Sequence, residues 1–156
     1  YLQNHAKYCE LTSTRLLQTA EIVEELGKDL GSAERKIILV STNTTDRRYF
    51  LYEIRFWMLV EEYRNKCPSN ITTVLFFYKN DQDDSYKQGL ALTAMKDNMK
   101  NLFVFSFETD FREPVLELIK EDFNITTTPA VIINGKKYEG YQDKDALLGI
   151  ISNSNK

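Results

Sequence analysis

The only thiols in the chain belong to Cys9 and Cys67. As a pair they could close a disulfide or cycle as a redox switch, since a thiolate is the species that attacks and forms a mixed disulfide. A second group with chemical potential is Asp81-Gln82-Asp83-Asp84-Ser85, which offers oxygen ligands at alternating spacing. Against the calcium-loop template, Tyr86 stands where glycine is required and Leu92 where the bidentate glutamate belongs. The run is therefore expected to hold no metal, with Asp83 or Asp84 capping the helix that follows and the carboxylates complementing its positive end. The competing reading is a weak divalent-ion site completed by Glu108 or Asp110. His5, the single histidine, lies near the terminus and is expected in a frayed end, so a Ser/His or Cys/His centre has little to build on. Three triplets of the glycosylation type, at Asn43, Asn70 and Asn124, mark candidate glycan acceptors. Capping and turn formation would account for the same residues.

The elements that must position these groups show in the spacing of apolar residues. Leu16, Ala20, Val23, Leu26 and Leu30 recur at helical intervals before Gly31. Lys36 to Ser41 is a short β-branched run that reads as a strand, although a helical turn has the same signature. Asn43 to Asp46 is a cluster suited to capping, and a second helix is predicted from about Arg47 to Lys66. That helix has apolar stripes on two sides, Phe50-Ile54-Trp57 and Tyr52-Phe56-Leu59-Tyr63, so it should lie between the first helix and a sheet. If these two helices are antiparallel neighbours, Cys9 and Cys67 come to the same end, where a bridge is geometrically allowed. Such a bridge would stabilise the fold by about 4 kcal/mol on the chain-entropy estimate. It would also imply an oxidising compartment; the alternative is two free thiols in the cytosol.

From Thr72 onward strands alternate with helices, the rhythm of a sheet covered by helices. Val74–Tyr78 and Leu102–Phe107 read as buried strands, with a helix between them from Asp84 to about Met99. Pro114 suits the first turn of the next helix. Ala130–Ile133, the Asn134-Gly135 turn and Lys136–Gly140 read as a hairpin, and a helix from Asp143 to about Ile151 follows.

At 42% apolar content over 156 residues, one globular unit is expected. A net charge of −3 with both signs interspersed argues against nucleic acid as a partner. No apolar run is long enough to span a bilayer. The first residue is Tyr1, which reads as a trimmed or mature chain with a signal or membrane anchor upstream.

Taken together, the βαβ unit, the next helix and TTTPAVIINGKKYEGY at 126–141 resemble the thioredoxin-like superfamily. The resemblance covers residues 72–152, or 36–152 if the Ile37–Val40 run serves as a further strand. It implies an α/β fold, a mixed sheet flanked by helices, with residues 1–35 as an N-terminal helical extension of a domain at 36–156. It also implies a cis bond before Pro129 and a groove in which Thr128 presents its backbone to an extended peptide, with Tyr138 and Tyr141 as candidate rim residues. Redox members carry Cys-x-x-Cys just after the strand matched by Val74–Tyr78; here that stretch is Lys79 to Ser85 and contains no sulfur. The expectation is a non-catalytic, extracytoplasmic or membrane-tethered module that binds a polypeptide and needs no cofactor. The alternatives are a thiol–disulfide oxidoreductase or switch using Cys9 and Cys67, a glutathione-type binder at the same proline, or an assembly unit dimerising through its first two helices.

Overall fold

The computed structural model describes residues 2–29 and 47–154. The strand expected at 36–41, the capping cluster at 43–46 and the Asn43 triplet lie outside them. The elements in order are α1 (Leu2–Asp29), α2 (Arg47–Lys66), β1 (Thr72–Tyr78), α3 (Asp83–Asn98), β2 (Leu102–Glu108), α4 (Pro114–Asp122), β3 (Ala130–Ile133), β4 (Lys136–Glu139) and α5 (Lys144–Ser154).

All seven residues of β1 are buried, as expected of an uninterrupted apolar run in a strand covered on both faces. It lies inside a four-stranded sheet of order β2-β1-β3-β4. β2 joins it in parallel, with Phe76 opposite Ser106, whereas β3 is antiparallel and places Ala130 opposite Phe77. Asn134 and Gly135 both have positive φ, the geometry of a tight primed turn, and β4 returns beside β3. This is a mixed sheet flanked by helices, with a helix added at the N-terminus.

Because side chains alternate across a strand, the sheet divides the core in two. Leu75, Phe77, Phe105, Phe107 and Ile132 face one cluster, closed by Phe50, Ile54 and Val60 of α2 and by Leu116 and Ile119 of α4. Phe50 and Phe107 meet edge to face at 5.9 Å. Val74, Phe76, Val131 and Ile133 face the other cluster, closed by Leu92 and Met95 of α3 and by Leu147 and Ile151 of α5. α1 lies against α2, burying Leu16 and packing Ala20 and Val23 on the first cluster, so α2 is sandwiched as its two stripes require.

Cys9 and Cys67 are joined, with Cα atoms 5.8 Å apart, and tie the start of α1 to the end of α2. His5 is not frayed: it lies within α1, and its Nε2 donates to the Lys66 carbonyl at 2.8 Å. Beside it, the Tyr8 hydroxyl donates to Glu62, and the Lys66 ammonium stands 5.4 Å from the Tyr8 ring centroid. These bonds hold the Glu62 carboxyl below its ordinary pKa, with Tyr8 the largest cause and Lys66 next.

Candidate functional site

β1 and β2 run in parallel, so their C-terminal ends lie together at one end of the sheet, the open end. In open sheets this is where ligands gather. The Thr109 amide donates to the Tyr78 carbonyl at 2.9 Å and ties the two strand ends together. The chain then turns at Asp81, which has positive φ, and enters α3. The Tyr86 amide donates to the Gln82 carbonyl, so Gln82 is the N-cap residue.

This corrects the capping expected of Asp83 or Asp84. Both lie inside the first turn of α3, one and two residues too late to cap, where their exposed carboxylates complement the helix dipole. The Gln82 side chain makes no bond to its own helix. It belongs instead to a relay of neutral groups. The Lys79 amide donates to Ser85 Oγ at 3.2 Å, the Ser85 hydroxyl donates to Gln82 Oε1, and Gln82 Nε2 donates to the Thr128 carbonyl at 3.0 Å. Ser85 is fully buried, whereas Gln82 and Thr128 are partly exposed.

The Thr128–Pro129 bond is cis. Pro129 is buried, and its carbonyl accepts the Gly140 amide at 2.9 Å. One turn beyond Ser85, fully buried Gln88 clamps the loop after β4. Its Nε2 donates to the Gln142 carbonyl at 3.0 Å, and its Oε1 accepts the Gln142 amide at 2.7 Å. Gln82, Ser85 and Gln88 thus bind the first turns of α3 to both loops that border the open end.

A cavity of about 470 Å³ opens here, lined by Lys79, Gln82, Thr109, Asp110, Lys120 and the run Ile125–Thr128. Lys120 Nζ reaches the Thr109 carbonyl at 3.0 Å and Glu117 at 2.9 Å. A second hollow of about 700 Å³ shares Thr109 and Asp110 and continues past Arg112 to the start of α4. Thr128 and Gln82 are therefore brought together at one cavity, while Asp81, Asp83 and Asp84 are solvent-exposed at its border. Tyr138 and Tyr141 are not among the residues that line it. Tyr138 packs on the second core cluster, with Lys136 Nζ 5.6 Å from its ring centroid, and Tyr141 is 41% exposed. Among the described residues no group of three or more His, Cys, Asp or Glu could hold a metal ion.

The disulfide stands at the opposite end of the sheet. Cys67 precedes Thr72, the first residue of β1, and seven residues of strand span roughly 20 Å between that end and the loop after Tyr78. Asn70 and Asn124 are both exposed, the former at the disulfide end and the latter beside the cavity. Asn124 has positive φ, and its carbonyl accepts Lys137 Nζ at 2.8 Å.

One buried acid has no counterpart in the expectations from sequence. Glu53 of α2 is 5% exposed, and its Oε1 accepts the Ser106 amide of β2 at 2.8 Å. Burial pushes its pKa up to about 8, against the opposing pull of the Ser106 bond and of Lys96. Ser106 Oγ is buried without a partner among the described residues. The sequence signal for Glu53 was its place between Tyr52 and Ile54, where the two apolar stripes leave little solvated face.

No family model matches this chain, and no curated protein matches it. Among solved structures it is similar to chloroplastic thioredoxin z, at 14% sequence identity and a TM-score of 0.47, over 54% of this chain and 78% of that one.

Proposed function

We propose that this chain is a non-catalytic, thioredoxin-like interaction module of an extracytoplasmic compartment, binding an extended polypeptide at the rim that carries Thr128. The observation that supports this reading most directly is the fate of the polar groups at the open end. Where a redox member would keep a nucleophile, Gln82 and Ser85 hydrogen-bond to each other, and neither can form a mixed disulfide. At the rim, Thr128 is partly exposed and lines the cavity, where an extended segment could add backbone hydrogen bonds. The Cys9–Cys67 bridge supports the compartment, since such bonds persist where the surroundings are oxidising.

The oxidoreductase reading retains one supporting observation, because Cys9 is only partly buried and a thiolate could reach it. Thiol titration of the unfolded chain, paired with an insulin-reduction assay, separates the two. The module reading expects no free thiol before reduction, two afterwards, and no insulin reduction above background. A Cys9–Cys67 pair that is reduced and reoxidised at mild potential while accelerating insulin reduction would overturn it. In the native compartment, a mass decrease on enzymatic deglycosylation that is lost in Asn70→Gln/Asn124→Gln would add independent support for the location.

A further inference from the structure

Resting on the reading of the Thr128 rim as a polypeptide-binding edge, we propose that Gln82 is a built-in competitor for that edge. Its side-chain amide bonds the Thr128 carbonyl in the free protein and competes there with the backbone N–H of a partner. A primary amide offers the same donor chemistry as a peptide N–H, and at 3.0 Å the position is filled. One lone pair of the Thr128 carbonyl is thus already engaged in the free protein.

The surrounding bonds fix which end of the Gln82 amide faces Thr128. Ser85 Oγ already accepts the Lys79 amide, and its own proton goes to Gln82 Oε1. That leaves Nε2 for Thr128; the flipped amide would set two acceptor oxygens against each other. Each bond in such a relay polarises the next, so the amide is held in place. Gln82 also forgoes the usual use of an N-cap side chain, since it makes no bond to the amides of its own helix.

Exposure distinguishes this contact from the other glutamine clamp on α3. Gln88 is 0% exposed and bonds both the amide and the carbonyl of Gln142, so no partner can reach it. Gln82 is partly exposed, lines the cavity and makes a single bond to the rim. The first clamp is structural and the second is exchangeable. The groups in the exchange are neutral amides and carbonyls, so the competition requires no protonation step. It also sets a requirement on the partner: the residue facing Thr128 must carry a backbone N–H, which excludes proline there.

The test uses an array of immobilised, proline-free, ten-residue peptides, probed with wild type, Gln82→Ala and Gln82→Glu. The second variant keeps an acceptor for the Ser85 hydroxyl while removing the proton offered to Thr128, so the start of α3 retains its support. Removing one competing hydrogen bond should tighten binding of the best peptides about fivefold in both variants. In a scan that N-methylates one residue of the best peptide at a time, one position should lose this gain entirely. If the variants bind the peptides no better than wild type does, the role of Gln82 is overturned while the peptide-binding rim stands. If neither wild type nor either variant binds any peptide, the rim reading falls, and the competitor role falls with it.

Discussion

The two ends of β1 are held by opposite means. At its N-terminal end, α1 and α2 are joined by a covalent bond between Cys9 and Cys67 and flanked by the Tyr8–Glu62 and His5–Lys66 contacts. At its C-terminal end the bordering loops are held by uncharged side chains of α3, namely Gln82, Ser85 and Gln88. A disulfide resists exchange unless a thiolate attacks it, whereas a neutral hydrogen bond can be traded for an equivalent one at small net cost. The lesson is that permanence is placed where the helical extension is attached, and exchangeability where the sheet opens.

The strongest way to break this contrast is to put thiols at the exchangeable end. Gln82→Cys/Ser85→Cys, made in a Cys9→Ser/Cys67→Ser background, restores Cys-x-x-Cys spacing across the first turn of α3, where the helix N-terminus favours a thiolate. Insulin reduction should rise at least tenfold above the parent, with a thiol at position 82 titrating below the ordinary cysteine value near 8.5. Activity indistinguishable from the parent in a folded variant would show that the open end lacks the geometry for exchange. The parent Cys9→Ser/Cys67→Ser sharpens the other half of the contrast. Releasing a bond across a sequence separation of 58 should cost about 4 kcal/mol in urea unfolding. Amide exchange at 126–128 should stay unchanged, because the lost bond lies at the far end of the sheet.

How much of this was legible in the sequence depended on whether a group's partner had its own signature. Val74–Tyr78, Pro114 and Asn134-Gly135 act through local backbone preference, and the structure places each as that preference requires. The pairing of Cys9 with Cys67 was legible because helical spacing brings both to one end. Gln82, Ser85 and Gln88 are spaced to share one side of α3, yet their acceptors include the main chain at residues 128 and 142, which leaves no trace in side-chain identity. Asp83 and Asp84 drew the capping expectation because carboxylates are the common caps. The helix starts one residue earlier because the Gln82 carbonyl takes the first bond.

Glu53 supplies a smaller, graded probe of the same sheet. Its folded pKa is raised to about 8 from an ordinary 4.5, so between those values the folded chain holds a proton that the unfolded chain has released. Its contribution is fully present below the lower value, declines as pH rises through the window and levels off above the upper one. The unfolding free energy should therefore fall from pH 5 to pH 9 by an amount on the order of 4 kcal/mol. Glu53→Gln keeps an acceptor for the Ser106 amide and should flatten the profile, with its largest advantage at pH 9. A wild-type profile as flat as the variant's would mean that the carboxyl is already ionised in the folded state.

Gln88→Ala and Gln82→Ala carry the smallest expected costs, and together they test whether the two glutamine clamps differ in kind. The Gln88 substitution leaves the amide and carbonyl of Gln142 without their partner and truncates a fully buried side chain, a loss of about 2 kcal/mol. Exchange at the Gln142 amide should accelerate, because that proton is held by Gln88 Oε1. Gln82→Ala, by contrast, should leave overall stability within about 1 kcal/mol of wild type, because Gln82 and Thr128 are both partly exposed and water can replace the lost donor. If both substitutions cost the same, the Gln82 bond is as structural as the Gln88 pair. The open end would then be locked like the disulfide end, and the contrast between them would disappear.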